Sequence, residues 1–420
     1  MKRVLAHTLG GLALGVLVAG PVLAQEVIIC PGASILPGDP PGAFCPPTAR
    51  YLGPMMGNAW APSDTVTANK SDSLSGNSVT VRGALTGAAV GGFNRVDTDE
   101  VSGNEILVAG SSGTPASLST NAVGGFADQG ADVRGNRVTV NEYGSVGAII
   151  YGGYADSDGS AISNSVVIDK WSSIFSINAY GGQARSTGNA TGNHFETSDS
   201  NVVLASVYGG YTLFGIATGN TVSIVNTTST ATGNPIYGGF CGGSYGPLTG
   251  LATNNTVEIT DSTIRNPGVY GGYGTSGATG NTVIISGTTN FSAGTALIYG
   301  GYQTGGIAND SFTDNLLALH NYTGTANVGR VEGFASYEFL ISDDSLPLNV
   351  VYTDTSSDGQ VHFTPTNNVP SGASSTVTVV DLASGQTLTR QKTALLCPDS
   401  GFSGTITNNN AAPTQASASY

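Results

Sequence analysis

Side chains able to do acid–base, metal or nucleophilic chemistry are few in this chain and lie far apart. Three histidines fall outside the first 24 residues, His194, His320 and His362. They lack metal-type spacing, an H-E-x-x-H pair or a Cys–His cluster, and read as solvent-facing strand positions. Asp97-Thr98-Asp99-Glu100 has the composition of a calcium turn without the Gly-Gly-x-Gly-x-Asp repeat that builds a metal ladder, and reads as a solvated loop. Pro398-Asp399-Ser400-Gly401 contains the Asp-Ser-Gly of a serine nucleophile, but neither the preceding glycine nor a supported histidine. The acidic residues are too scattered to supply the two facing carboxylates that glycoside cleavage needs. No catalytic residue, metal ligand or cofactor is expected, and the chain is not expected to be an enzyme.

Four cysteines remain. Cys30 and Cys45 bracket a proline-rich segment and are expected to form a disulfide, worth roughly 3 kcal/mol on the chain-entropy account. Cys241 and Cys397 are far apart in sequence, and their pairing is left open.

The aromatic residues show the most order. Ile298-Tyr299-Gly300-Gly301-Tyr302 recurs nearly unchanged, with a Gly-Gly pair at 91, 124, 152, 181, 209, 238, 271 and 300 and a decayed copy, Val331-Glu332-Gly333-Phe334. Tyrosine precedes the glycines at Tyr151, Tyr180, Tyr208, Tyr237, Tyr270 and Tyr299. The residue after them is Phe93, Phe126, Tyr154, Gln183, Tyr211, Phe240, Tyr273 and Tyr302, with Phe334 in the decayed copy. An extended strand sends these two columns to opposite faces, so one is expected in the core and the other is a candidate exposed stripe for sugars or a partner surface. Stacking that holds neighbouring units in register is the structural reading of the same residues.

An asparagine marches in step with the glycines, at Asn77, Asn104, Asn136, Asn164, Asn193, Asn220, Asn255, Asn281 and Asn315. Two and four residues after each come apolar, mostly β-branched side chains, such as Val138 and Val140 or Val283 and Ile285, the alternation of a strand with one buried face. Steps of 28 to 33 residues between glycine pairs are shorter than a propeller blade needs and match a stacked repeat. The expected fold is therefore all-β, a right-handed parallel β-helix of about nine coils, roughly 43 Å tall at the strand spacing. In it the asparagines stack as a ladder. Outward positions after the asparagines (Ser78, Glu105, Arg137, Ser165, His194, Thr221, Thr256, Thr282, Leu316) are too irregular for an ice-binding threonine array.

Residues 1–24, with Lys2 and Arg3 before an apolar run and Val22-Leu23-Ala24 at its end, read as a secretory signal peptide. Residues 25–69 are Pro/Cys-rich and expected to cap the first coil, 70–341 hold the repeats, 342–405 form a β-rich C-terminal cap, and 406–420 an unfolded tail. The full chain carries a net charge of −14, which becomes −16 without Lys2 and Arg3. That field, with no basic cluster, argues against nucleic acid as a partner.

A signal peptide followed by repeats such as Gly280-Asn281-Thr282-Val283-Ile284-Ile285 and Ile298-Tyr299-Gly300-Gly301-Tyr302 resembles the passenger domains of autotransporters, over about residues 70–341. The resemblance implies export from a Gram-negative bacterium, display at the outer-membrane surface or release, and adhesion to a host, matrix or neighbouring-cell surface or glycan. Residues after 341 are too few and too turn-rich for the barrel that ends such proteins, which implies a separate outer-membrane transporter or a passenger alone. The expected function is a structural or adhesive module; the alternative is a carbohydrate-active or polysaccharide-binding β-helix.

Overall fold

The computed structural model describes residues 26–29, 51–52, most of 75–350, 376–381 and 396–398. The expected leader, the expected Cys30–Cys45 bridge, His362, Asp399-Ser400-Gly401 and the expected tail lie outside the described residues. What is described is an all-β parallel β-solenoid. A full coil holds four strands, where the sequence pattern marked at least two. In one coil these are Arg137–Asn141, Gly144–Val146, Ile150–Ala155 and Ala161–Ile162. The first kind joins a twelve-stranded asparagine sheet, the third a nine-stranded glycine sheet and the last a seven-stranded corner sheet. The second kind stacks in sheets of four and five strands.

The solenoid has about seven turns rather than the nine expected. Among the described residues corner strands run only from Val101–Ser102 to Gly277–Thr279, so the coils that begin with the asparagine strands Thr282–Ser286 and Leu316–His320 have none. Beyond the corner strands the asparagine sheet continues: Glu26–Ile29 pairs in parallel with Ser78–Val81, and Ser336–Ile341 and Thr376–Asp381 extend the other end. Segments read from sequence as caps thus contribute strands to the same sheet, and no separate cap is seen among the described residues. Twelve strands at the usual spacing make a sheet on the order of 50 Å long.

Alternation decides which side is buried. Val138, Val140, Val166, Ile168, Val222, Val257, Ile259, Val283 and Ile285 point inward and are at most 2 % exposed, while Arg137, Thr139 and Glu258 face out. Ile150, Val207, Ile236, Val269 and Ile298 close the core from the glycine sheet. Register places like on like, Val138 beside Val166 and Tyr180 beside Tyr208.

At the corner before each asparagine strand, the chain turns through a left-handed residue. Gly76, Gly103, Gly135, Gly192, Gly219 and Gly280 take this position with φ of +61° to +72°, and Ser163, Asn254 and Asp314 fill it in the other coils. Glycine has no Cβ penalty there, and short polar side chains tolerate it. The turn aims the next asparagine inward. Asn136 Nδ2 donates to Asn164 Oδ1 at 3.0 Å and to the Val101 carbonyl at 2.9 Å. Its own Oδ1 accepts from Asn104 N at 3.0 Å and Asn104 Nδ2 at 2.8 Å. The ladder continues from Asn77 to Asn315, and every asparagine from Asn104 to Asn315 is fully buried. At its end Asn315 Nδ2 donates to the carbonyls of Ser311 and Gly333. A buried amide left unpaired costs about 1–3 kcal/mol per group, so the ladder is stabilising only while it is continuous.

The glycine pair exists to make room for this ladder. A Cβ on the second glycine would overlap the asparagine amide that follows it in the chain, 2.4 Å from Asn164 Cγ at Gly153 and 2.5 Å from Asn136 Cγ at Gly125. A Cβ on the first glycine would strike the backbone of the next glycine strand, 2.2 Å from the Gly181 carbonyl oxygen at Gly152. The two positions therefore forbid a side chain for different reasons, one for the sake of the amide ladder and one for the stacking of glycine on glycine. Gly153→Ala is expected to destabilise by at least about 3 kcal/mol, because the amide it displaces cannot move without breaking four hydrogen bonds. Gly113→Ala, where an added methyl meets nothing within 4 Å, is expected to leave the urea midpoint unchanged. Equal midpoints for the two variants would contradict this account of the motif.

Candidate functional site: the tyrosine columns

The two aromatic columns do not go to opposite faces. Tyr151 and Tyr154 touch, with ring centroids 5.0 Å apart, as do Tyr208 with Tyr211 and Tyr299 with Tyr302. The expectation of one core and one exposed column is corrected by the backbone at the first glycine. Strand pairing steps from Tyr151 to Gly153 and leaves Gly152, like Gly181 opposite it, without a register partner, so the alternation of the pleat is interrupted there and its parity reset, while the register to the next coil is kept. Ile150 and Gly153 face the core, and both tyrosines lie on the other side of the sheet, in a cluster separate from the valine core.

Facing away from the core has not left the column open. Successive rings of the first column stack at 5.0, 4.7, 5.1, 5.0 and 5.0 Å from Tyr151 through Tyr180, Tyr208, Tyr237 and Tyr270 to Tyr299. Tyr180 and Tyr208 are within 3° of parallel. The second column meets the first edge-on, as Tyr211 does Tyr208 at 90°. Tyr151, Tyr180, Tyr237 and Tyr299 are only 5 to 8 % exposed, and Tyr208 and Tyr270 are half-buried. The candidate exposed stripe is thus corrected to a closed one. A sugar ring stacks on an open aromatic face, and here each face is already covered by the next tyrosine. Edge-to-face and offset stacks contribute about 0.5–1.5 kcal/mol a pair beyond burial, so the columns hold the coils in register from outside as the asparagines do from inside.

Burial pushes the phenols of Tyr151, Tyr208 and Tyr270 up to about 12 and raises those of Tyr180, Tyr237 and Tyr299 as well, with neighbouring phenols adding to the shift in several. Tyr154 is raised by burial and then by its hydrogen bond to Asp156, at 2.7 Å. Arg185 Nη1 reaches both Asp156 Oδ1, at 3.0 Å, and Tyr154 Oη, at 3.3 Å.

The second column has one gap. Gln183 lies in register between Tyr154 and Tyr211, and its buried Oε1 has no hydrogen-bond partner among the described residues.

Other candidate groups lie elsewhere. His194 and His320 sit on the outward side of the asparagine sheet, beside Glu196 at 3.3 Å and Glu338 at 2.9 Å. Glu100 of the acidic loop pairs with Arg134 at 2.9 Å. Cys241, whose pairing the sequence left open, is a free thiol facing the core, and burial pushes it up to about 11. Among the described residues no group of three or more His, Cys, Asp or Glu side chains is placed to hold a metal. One buried polar column escaped the sequence reading. Thr227 N donates to Ser262 Oγ at 3.0 Å and Ser262 N to Thr289 Oγ1 at 3.4 Å, a short hydroxyl ladder continuing the line of Ser200. Its signal was present as a Ser or Thr seven or eight residues after the asparagine.

Searches against protein-family profiles, curated proteins and solved structures found no match. The architecture and the packing described above are therefore what bears on function.

Two measurements test this packing. Gln183→Phe is expected to close the second column and raise stability by about 0.5–1.5 kcal/mol, read as a higher urea midpoint with unchanged slope. A lower midpoint would mean the amide is held by partners the column depends on. The raised phenols set a pH window. An unfolded tyrosine ionises near 10 and the folded column near 12, so the folded state holds more protons between those values. Stability from this source is complete below about pH 10 and is lost as pH rises through about 12. Urea midpoints falling steeply across that interval, with the share of phenolate absorbance that belongs to the column tyrosines appearing only on unfolding, are the expected result.

Proposed function

We propose that this protein is an exported β-solenoid that acts as a structural or adhesive passenger module, secreted or displayed on a Gram-negative cell surface. The supporting observation is the division between the two sides of its strands. Inward positions repeat the same residue from coil to coil, as in the asparagine ladder and the valine columns, while outward positions beside them change from Glu105 to Arg137, Ser165, His194 and Thr221. Such a rod holds variable side chains at fixed intervals on an invariant scaffold, which suits a surface that contacts a cell, matrix or glycan rather than one that turns over a substrate. A leader at 1–24 supports export, and a separate outer-membrane transporter is the partner that the autotransporter likeness suggests.

The polysaccharide-binding alternative draws less support from the first tyrosine column, whose rings cover one another's faces. The test displays the full chain on a non-adherent bacterium and measures attachment to matrix-coated surfaces and cultured cells. Attachment that persists after Glu105, Glu196, Glu258 and Glu338 are all changed to glutamine is the expected outcome. Depolymerisation of any member of a glycan panel, abolished by the same four changes, would replace this reading with an enzymatic one.

A further inference from the structure

The tyrosine columns are more than packing in one respect: they place a phenol with its own proton acceptor at one end of a continuous ring stack. We propose that Tyr154, with Asp156 and Arg185, is a site of one-electron oxidation that feeds the tyrosine column, and that its stable product is a carbon–carbon cross-link between tyrosines of adjacent coils. The co-reactant is a peroxide-driven one-electron oxidant. The inference does not depend on whether the surface binds a partner.

Three observations carry it. A phenol that loses an electron must also lose its proton, and Tyr154 Oη already donates to Asp156 Oδ1 at 2.7 Å. Arg185 Nη1 donates to the same carboxylate oxygen at 3.0 Å, and the Asp156 side chain is 32 % exposed, so a proton it takes up can pass on to water. The Tyr154 ring contacts Tyr151 at 5.0 Å, and Tyr151 is the first of six tyrosines stacked without interruption to Tyr299. A hole formed at Tyr154 therefore has neighbours of the same chemistry in van der Waals contact. Gln183 above Tyr154 breaks the second column there, which directs the hole into the first. Finally, adjacent rings are near-parallel and close, as Tyr180 and Tyr208 are at 4.7 Å, so radicals on neighbouring coils meet without diffusing, and the bond between them forms with a local parting of the two strands.

The chemistry balances. Each of two phenols gives up one electron and its hydroxyl proton, and the two phenoxyl radicals join through ring carbons ortho to oxygen. The ortho hydrogens then shift to oxygen and restore both phenols. One hydrogen peroxide accepts the two electrons and two protons and leaves as two waters. Covalent links of this kind would staple coils that are otherwise held by stacking and ladder bonds alone.

The test treats the full chain with a haem peroxidase and hydrogen peroxide, follows dityrosine fluorescence, and maps cross-linked peptides by mass spectrometry. Links within one molecule between neighbours such as Tyr180 and Tyr208 are expected, with the monomer band unshifted. Asp156→Asn, which lies outside the stack, is expected to slow the initial rate several-fold while circular dichroism stays unchanged, and urea-unfolded chain should lose the coil-to-coil pattern. Links confined to Tyr51, Tyr352 or Tyr420, products only between molecules, oxidation restricted to Cys241, Trp60 or Trp171, or an unaltered rate in Asp156→Asn would each overturn the proposal.

Discussion

A side-chain amide has two donors and an acceptor oxygen that takes two bonds, and burying it is tolerable only if all are used. In this solenoid each buried asparagine meets that demand through its neighbours above and below: Asn136 binds Asn164 ahead, Asn104 behind and the Val101 carbonyl beside it. The arrangement works at one vertical register and no other. Slipping a coil by one residue would turn every valine outward and strand every amide, so register is specified at the same points that carry the penalty. The left-handed corner residue before each asparagine and the glycine opposite it are consequences of that single demand, one aiming the amide and the other leaving room for it.

The outer side of the glycine sheet repeats the logic with different chemistry. Stacked tyrosines tolerate small tilts that hydrogen bonds do not, and the observed angles range from 3° to 24° along the first column. Gly153 thus links the two systems: its missing side chain admits Asn164 on the inside, and the break in the pleat at Gly152 brings Tyr151 and Tyr154 together on the outside. Interior amides set the register and exterior rings reinforce it. This double constraint accounts for a glycine-rich, weakly charged chain holding an ordered core.

For function, the consequence is that little of the conserved-looking pattern is available to a ligand. The repeated residues are occupied with one another, and the freedom to vary lies on the outward side of the asparagine sheet, where His194 meets Glu196 and Thr221. A rod of this kind separates scaffold from surface, so outward residues can change without disturbing the amides or valines beneath them. The tyrosine column is the exception, since its repeated residues are also redox-capable.

Alternation around Val138 and Val140, the nine asparagines and the spacing of the glycine pairs settled the fold class, because each is a local pattern whose period equals a strand or a coil. The same patterns overstated the number of full coils, since the short corner strands leave almost no trace in sequence and, among the described residues, none follows Gly277–Thr279. Parity misled at the tyrosines: counting three residues from Tyr151 to Tyr154 puts them on opposite faces only if the strand is regular. The break in the pleat at Gly152 shows only in how the strand pairs with the next coil, which no single repeat can reveal. Sequence alone thus fixed what each residue repeats with, and the packing of coil on coil decided which way it points, because the space beside a glycine belongs to its neighbour as much as to itself.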